Sequence, residues 1–146
     1  MFSSEGAKDS ATWARETGEF VANLVSRDLA EKMNATAIDA PRGISEFQHA
    51  GLTPEPSRLV KAPRVKEALA ALECKVTEIL QPKGLDGQPA GQFVVFGEVV
   101  GIYIDDAVLT NGLFDIVKAG TLSRLGYMDY TSVSETFAMR RPRWKD

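Results

Sequence analysis

The chain has 146 residues, of which 44% are hydrophobic and 25% are charged. This length and composition predict a single globular domain over residues 1–146 and exclude a disordered tail, a collagen-like chain and a coiled coil. The net charge of −3 gives no electrostatic basis for binding nucleic acid, and the longest nearly apolar run, residues 93–104, is too short to cross a membrane as a helix.

The N-terminal segment, residues 1–10, predicts the end of one element followed by a loop, because turn- and cap-forming residues recur in it. Either Asp9 or Ser10 is suited to cap a short helix over residues 11–16, since both side chains accept hydrogen bonds from first-turn amides. Gly18 is expected to end this helix.

Residues 18–26 predict a short strand whose two faces are both largely apolar. Asn23 is a polar group within this run. Leaving its amide unpaired costs about 1–3 kcal/mol, so we expect a hydrogen-bond partner for it. Ser26 or Asp28 then caps a second helix over residues 29–38.

The middle of the chain predicts irregular structure and then a strand. Prolines exclude a long regular element over residues 44–63, apart from a short helix around residues 46–50. Apolar and polar side chains alternate over residues 71–80, where Glu78 shifts the register as a β-bulge does. Three glycines and two prolines in residues 81–92 indicate a long, flexible hairpin loop.

Residues 93–104 predict a long strand that is buried on both faces. Gly97 and Gly101 fall on the same face of a regular strand, and they indicate either sharp bending or the close approach of another backbone. A helix is expected over residues 115–121, followed by a glycine-containing loop over residues 122–130.

The last residues, 140–146, form a basic tail, which we interpret as a solvated end because the chain as a whole is acidic. Several buried strands, short connecting helices and one long β-hairpin predict a mainly β fold with short helices, of the α+β class. Strands and long helices do not alternate regularly, so the pattern favours a barrel over a βαβ sheet.

The first candidate site is a polar cluster at the N-terminus. Hydroxyls, loop amides, one ammonium group and a helix N-terminus together make a cradle for phosphate. The alternative is a solvated loop with a helix cap. The cluster comprises Ser3, Ser4, Lys8, Asp9 and Ser10.

Two further candidate sites lie later in the chain. Asn23, with Ser26 and Arg27 at the end of the same strand, is either aimed at a ligand over the barrel or satisfied by neighbouring backbone. The group of Arg124, Gly126, Tyr127 and Tyr130 places an arginine and two aromatic rings on a glycine loop, which suits a planar ligand or an anion. The alternative for that loop is an ordinary surface position.

The remaining reactive side chains predict no chemistry of their own. His49 is expected to be a partly exposed helical residue, and Cys74 a small core residue on a strand. One histidine and one cysteine are too few for a zinc site or an intramolecular disulfide. No apolar leader is visible at the N-terminus, and the simplest location is the cytoplasm.

Several stretches, taken in order from residue 2 to about residue 130, resemble the flavin reductase-like family, whose domain is an FMN-binding split β-barrel. The ordered set is fairly specific to that family. The stretches are FSSEGAKDSATW, TGEFVANLVSRDLAEKMNAT, EFQHAGLTP, ALECKVTEIL, VVFGEVVGIYIDDAVL and LSRLGYMDY.

The resemblance implies a Greek-key-like split barrel that forms a homodimer, with flavin sites at or near the subunit interface. It also implies FMN, or FAD in some members, and hydride transfer from NAD(P)H to a flavin that is then passed to a partner oxygenase. The residues that match the family's flavin-binding positions are Ser3, Ser4, Lys8, Asp9, Ser10, Asn23 and Ser26. Those that match positions near the flavin or nicotinamide are Arg124, Gly126 and Tyr130. These groups are expected to form three sides of one pocket.

The family places several strands before the segment that begins this chain with MFSS, so the resemblance implies an N-terminally truncated member with Met1 inside a barrel strand. Missing strands leave unpaired edges and an exposed core face, and we expect association and weaker FMN binding than in a full-length relative. Two alternatives stay open: a flavin-binding electron carrier that does not oxidise NAD(P)H, and an inactive remnant of the fold.

Overall fold

The structure is a computed structural model that describes residues 1–144, so Lys145 and Asp146 of the basic tail lie outside the described residues. The strands in chain order are β1 (Phe2–Glu5), β2 (Glu19–Asn23), β3 (Pro54–Glu55), β4 (Arg64–Val65), β5 (Ala70–Leu80), β6 (Gln92–Ile104), β7 (Leu109–Thr110), β8 (Leu113–Phe114), β9 (Leu122–Arg124) and β10 (Tyr130–Ser132). The α-helices are α1 (Asp9–Thr17), α2 (Ala30–Ala35) and α3 (Glu46–His49). The predicted class, mainly β with short helices, is confirmed.

The main sheet contains four strands in the order β1-β6-β5-β2, and every neighbouring pair is antiparallel. In chain order β1 is the first strand of this sheet and β6 is the last, and these two lie side by side, as in a Greek key. Strands β5 and β6 form the predicted long hairpin, connected by residues 81–91. The flexibility of that connection stays a prediction. Smaller antiparallel pairs join β3 to β4, β7 to β8 and β9 to β10.

Helix α1 packs on one face of the sheet and forms the core with it. Ala11 and Ala14 are fully buried against Val95 of β6, because their small side chains let the helix approach the strand closely. The side chains that surround this cluster are Phe2, Phe20, Val76 and Ile79. The helix ends at Gly18, as predicted, with a φ of 73° that glycine adopts without strain.

Two β-bulges in the β5–β6 hairpin decide which side chains share a face. The predicted shift near Glu78 is confirmed by a jump in the strand pairing there. A second irregularity leaves Val100 of β6 unpaired, between Val99 and Gly101, which both have partners on β5. One extra residue reverses the alternation of side chains. The prediction that Gly97 and Gly101 share a face is therefore wrong.

Each of these glycines makes room for a side chain of another strand of the sheet. A Cβ atom at Gly97 would lie 2.6 Å from Cε1 of Phe20 on β2. A Cβ atom at Gly101 would lie 3.3 Å from the carboxylate of Glu73 on β5. The two contacts lie on opposite faces of the sheet, and the first leaves no space for any larger residue.

One face of the sheet is covered by the loop that precedes β4. The carboxylate of Glu73 is only 2% exposed and accepts hydrogen bonds from the backbone N–H of Arg58 at 2.9 Å and of Leu59 at 2.6 Å. Glu19 accepts another from the N–H of Lys61 at 2.6 Å. Two carboxylates therefore fasten this loop, which has no regular structure of its own, to β5 and β2.

The opposite face of the sheet stays open beyond helix α1. Leu72 of β5 pairs with Ile102 of β6, and Cys74 pairs with Val99 in the next row. Leu72, Val99 and Ile102 remain 39%, 44% and 66% exposed. Such a row of aliphatic side chains is the inner face of a curled half-barrel.

The helix predicted over residues 115–121 is wrong, because residues 116–120 form turns and Thr121 forms an isolated β-bridge. The Asp115 carboxylate accepts hydrogen bonds from the N–H groups of Val117 and Lys118 at 3.1 and 3.0 Å. These are the bonds of an N-cap, and they close one helical turn in which the N–H of Ala119 donates to the carbonyl of Asp115 at 3.0 Å. Gly120, with a φ of 54°, ends the segment after that single turn.

Two more predicted elements need correction. The second helix is shorter than residues 29–38: a 3₁₀ turn over Arg27–Leu29 precedes α2, and Ser26 holds the N-cap position of that turn without a side-chain bond. The predicted loop over residues 122–130 contains strand β9 and a turn that leads into β10.

Among residues 1–144, no helix combines the length and the apolar character that crossing a membrane requires.

Candidate functional site

The junction between β1 and α1 is a tight turn built by its own polar groups. The buried hydroxyl of Ser4 donates to the carbonyl of Gly6 at 3.0 Å, and the hydroxyl of Thr12 donates to the carbonyl of Ala7 at 3.1 Å. Gly6 has a φ of 78°, which favours glycine. Ser4 therefore shapes the junction from within, whereas the neighbouring Ser3 is exposed.

The N-terminus of α1 has free amides beside a lysine. Lys8 occupies the N-cap position and no side chain caps the helix, so the prediction that Asp9 or Ser10 does so is wrong. The backbone N–H groups of Asp9, Ser10 and Ala11 have no acceptor within a helix of this geometry. Together with the helix dipole and the exposed Lys8, these donors fit a phosphate group, although the Asp9 carboxylate weakens the attraction.

Asn23 has the partner that its position demands. Its Oδ1 accepts a hydrogen bond from the backbone N–H of Val65 at 2.9 Å, which fastens β4 beside β2. This is the structural alternative considered from the sequence, in which neighbouring backbone satisfies the amide. Only the NH₂ group of the Asn23 side chain is then available to donate a hydrogen bond to a ligand.

A buried polar pair follows the end of β2. Ser26 is buried and forms an isolated β-bridge with Thr121, and the N–H of Arg27 donates to the carbonyl of Gly120 at 2.8 Å. Among the described residues, the buried Oγ1 of Thr121 has no hydrogen-bond partner. An orphaned hydroxyl of this kind is costly without a partner, so it fits a site that a polar ligand completes.

The hairpin of β9 and β10 brings the third predicted group together. The Arg124 guanidinium donates to the carbonyl of Tyr127 at 3.1 Å and lies 5.9 Å from the ring centre of Tyr130. Tyr127 has a φ of 55° and follows Gly126 in the turn. The turn thus fixes an exposed arginine over an aromatic ring, an arrangement suited to an anion or a planar ligand.

Part of the predicted set shares one cavity within a single chain: Ser10 and Asn23 line it, whereas Lys8 and Arg124 are not among its lining residues in the described chain. Ser4 lies opposite Phe93 at one end of the sheet, and Asn23 lies opposite Ala71 at the other. From Ala71 to Leu80, the last residue of β5, an extended strand rises about 30 Å. The α1 end and the Ser26–Arg124 end are therefore two separate half-sites in this chain.

A cavity of about 790 Å³ occupies the open inner face of the half-barrel. Ser10 and Asn23 are the predicted site residues that line it, while Trp13, Phe20 and Phe47 contribute aromatic rings. Its volume is typical of ligand sites, but its lining is mostly apolar. It marks the uncovered face of the sheet rather than the meeting point of the predicted groups.

The reactive side chains predicted to be inert have inert surroundings. Cys74 is buried, and burial raises the pKa of its thiol, so the nucleophilic thiolate is disfavoured. His49 is exposed at the end of α3, as expected of a helical surface residue. Across residues 1–144, no group of three or more histidine, cysteine or carboxylate side chains is arranged to hold a metal ion.

Sequence reasoning missed Thr121 and Trp13. Thr121 is the last residue of the segment predicted as helix, so its place in a β-bridge with Ser26 was hidden by that error. Trp13 lies in the predicted first helix, where its spacing from Ala11 and Ala14 places it off the buried stripe and beside the cavity. That spacing was a usable signal, whereas nothing in the sequence marked Thr121.

Residues 1–127 match the family described as flavin reductase like domain. An uncharacterized protein of Halalkalibacterium halodurans is 36% identical over 135 residues, which cover 92% of this chain and 64% of that protein. This chain therefore spans less than two thirds of that relative's length.

Solved structures show the same architecture. The nitrilotriacetate monooxygenase component B from Bacillus cereus is similar with a TM-score of 0.85 and 28% identity, covering 94% of this chain and 69% of that one. The flavoredoxin of Desulfovibrio vulgaris is similar with a TM-score of 0.76 and 27% identity, covering 91% and 68%. The curled half-barrel sheet matches FMN-binding split-barrel structures of flavin reductases. The chain belongs to the flavin reductase-like domain family.

Proposed function

We propose that this domain binds FMN and transfers a hydride from NAD(P)H to the flavin, with FAD as the less favoured cofactor. The observation that carries the proposal is membership of the flavin reductase-like family over residues 1–127. The free amides at the start of α1 and the neighbouring Lys8 add a site suited to a phosphate group.

Each half-site has a distinct task in this proposal. Lys8 and the first-turn amides of Asp9 and Ser10 hold the phosphate, and the exposed hydroxyl of Ser3 contacts the ligand beside them. At the other end of the sheet, Arg124, held by the carbonyl of Tyr127 and close to the Tyr130 ring, binds an anionic or planar part of flavin or nicotinamide. Ser26 and the orphaned hydroxyl of Thr121 supply polar contacts next to it.

Little acid–base chemistry is required of the protein. A bound flavin supplies the electron sink for the hydride. The side chains of this chain bind and orient, and stacked, aligned reactants account for much of such a rate enhancement. The absence of a reactive thiolate at Cys74 and the exposed position of His49 are consistent with that division of labour.

We further propose that the two half-sites meet between two copies of the chain. In one chain they lie toward opposite ends of the sheet, and in a two-fold dimer Lys8 of one copy is free to face Arg124 of the other. Mixing Lys8→Ala and Arg124→Ala chains then restores about a quarter of the intact sites, because half of the dimers are mixed and each carries one complete site. Recovered activity in the mixture supports a shared site, and no recovery contradicts it.

A flavin-binding carrier that does not oxidise NAD(P)H is the second candidate function. Similarity to a flavoredoxin favours it. The two candidates differ in their partners: only a domain that reduces flavin with NAD(P)H is proposed to supply reduced flavin to a partner oxygenase.

The test is an FMN titration followed by NAD(P)H consumption in the presence of FMN. FMN binding with NAD(P)H oxidation supports the reductase, and binding without oxidation selects the carrier. Loss of flavin on a desalting column together with no oxidation contradicts both. Lys8→Ala is expected to weaken binding at least about tenfold, or about 1.4 kcal/mol, whereas Lys75→Ala, an exposed lysine on β5, is the matched control and leaves it unchanged.

A further inference from the structure

The chain contains three asparagines, and they differ in what surrounds their side-chain amides. Asn23 lies on β2, Asn34 lies in α2, and Asn111 lies in the loop between β7 and β8. Only Asn111 is followed by a glycine, Gly112, and these two residues form the whole loop. Their φ angles of 52° and 76° are those of a type I′ turn, which connects the two short strands.

An asparagine that precedes a glycine has a defined route to chemical modification. The backbone nitrogen of the glycine attacks the side-chain carbon Cγ, the new bond closes a succinimide ring, and Nδ2 leaves as ammonia together with the proton of the attacking nitrogen. Water then adds to either ring carbonyl and opens the ring to aspartate or to isoaspartate. One water is consumed and one ammonia is released, with no oxidant or reductant. Either product adds a carboxylate to the turn.

The nitrogen of Gly112 meets the requirements for this attack. Gly112 lies outside both strands, and its N–H donates no hydrogen bond within residues 1–144. A side chain on the attacking residue would obstruct ring closure, and glycine has none. The surroundings are also open, because even an added Cβ at Gly112 would meet no atom within 4 Å. Asn111 and Gly112 are both exposed, so water has access to the ring.

The other two asparagines lack these conditions. The N–H that follows Asn23 is that of Leu24, and it donates to the carbonyl of Ala70 at 2.8 Å. The side-chain oxygen of Asn23 is itself bonded to β4. Asn34 is exposed, but it lies in α2, where the N–H of Ala35 bonds to the carbonyl four residues back. Exposure alone therefore does not separate the three sites, whereas the hydrogen bonding of the next N–H does.

We propose that Asn111 is a site of spontaneous deamidation, in which the nitrogen of Gly112 displaces the side-chain amide as ammonia and water opens the succinimide. The inference does not depend on the function proposed above. Aspartate is compatible with the turn, because Asp-Gly also forms type I′ turns. Isoaspartate adds one carbon to the main chain of a two-residue loop, so it should loosen the pairing of Thr110 with Leu113.

The first test is peptide mass spectrometry of the folded full chain, incubated at mildly alkaline pH without flavin. The peptide that contains Asn111 is expected to gain about 1 Da at least about tenfold faster than the peptides of Asn23 and Asn34, whose backbone must first open locally. The urea-unfolded chain, incubated in parallel, gives the rate without folded structure. Equal rates at Asn34 and Asn111 in the folded chain overturn the proposal, as does an unchanged Asn111 after the unfolded chain has converted there.

The second test identifies the intermediate by its products. Because water opens a succinimide at either carbonyl, isoaspartate and aspartate should both appear at position 111, and an isoaspartyl methyltransferase labels only the first. Hydroxylamine should cleave the chain between Asn111 and Gly112 while the ring is present. Aspartate as the sole product would mean direct hydrolysis of the side chain, and it overturns the attack by Gly112.

The third test changes the two residues of the turn. Gly112→Ala should slow the mass gain at Asn111 at least about tenfold, because a Cβ on the attacking residue obstructs ring closure. Since the positive φ of Gly112 makes that variant strained, Asn111→Gln is the second variant, and its longer side chain should leave position 111 unmodified. Gly91→Ala, at an equally open glycine that follows an alanine, is the matched control and should leave the rate unchanged. A native rate in either turn variant overturns the proposal.

Discussion

The two faces of the main sheet are made by the same strands and differ in what covers them. On one face Glu73 is buried under a loop and accepts hydrogen bonds from two backbone N–H groups. On the other face Leu72, Val99 and Ile102 stay exposed beyond helix α1. A carboxylate is therefore more buried than the aliphatic row behind it. Donors that satisfy a charge permit its burial, whereas apolar side chains are buried only where something packs on them.

Removing the Glu73 carboxylate is expected to have the largest effect, because it leaves the N–H groups of Arg58 and Leu59 without acceptors. Glu73→Ala should lower the free energy of unfolding by about 3 kcal/mol, measured by urea denaturation. Glu78→Ala, an exposed carboxylate on the same strand, is the control and should change it by less than about 0.5 kcal/mol. If the two substitutions lowered the free energy of unfolding equally, the hydrogen bonds that bury Glu73 would not stabilise the fold.

Gly97→Ala is expected to have the next largest effect, since its Cβ would lie 2.6 Å from Cε1 of Phe20. We expect a loss of about 1–3 kcal/mol in the free energy of unfolding, because strand and ring must shift apart. Gly91→Ala, where nothing lies within 4 Å of the added atom, is the matched control. Phe20→Leu combined with Gly97→Ala should recover part of the loss, and no recovery would show that the ring is not the obstacle.

The covered face also predicts a pH dependence. The N–H of Arg58, followed by those of Leu59 and Val60, holds the pKa of the Glu73 carboxyl below its ordinary value, although burial acts in the other direction. A lowered pKa in the folded state stabilises the protein above about pH 4.3, the unfolded value, and this contribution is lost as the pH falls through the folded pKa.

Urea unfolding of the native protein and of Glu73→Gln, from neutral pH into the acid range, measures this contribution. The native protein should lose more stability toward acid than the variant does. The comparison between the two is needed because the carboxyl pKa values of Glu67 and Asp115 are also lowered. If the free energies of unfolding of the two proteins fell by the same amount toward acid pH, the pKa of Glu73 would not be lowered in the folded state.

The open face predicts the smallest effect on folding. Ile102 is 66% exposed, so Ile102→Ser should change the free energy of unfolding by less than about 0.5 kcal/mol. It should reduce the binding of a fluorescent apolar dye, which reports exposed apolar surface. A loss as large as that at Glu73 would show that the row is covered in solution.

Periodicity predicted the long strands, the bulge near Glu78 and the end of α1 at Gly18, because these follow from local alternation and local backbone preference. It failed at Val100, where an extra residue reverses the faces without any change in composition. It failed again at residues 115–121, where Gly120 ends the segment after the single turn that the Asp115 carboxylate caps.

The candidate site was predicted in its parts but not in its arrangement. The Lys8 region and the Arg124 hairpin are local, and each forms as a unit. Their separation depends on the register of Ser4 and Asn23 across the sheet, which local patterns do not contain. The donors that bury Glu73 come from a loop whose path is likewise set by tertiary contacts.

The start of α1 is proposed to hold the phosphate of FMN. The most direct measurement compares the affinities of the full chain for FMN and for riboflavin, which lacks that phosphate, in the native protein and in Lys8→Ala. We expect FMN to bind at least about tenfold more tightly than riboflavin, and the variant to lose most of that difference. Equal affinities in the native protein, or a preference that Lys8→Ala leaves unchanged, would contradict the claim.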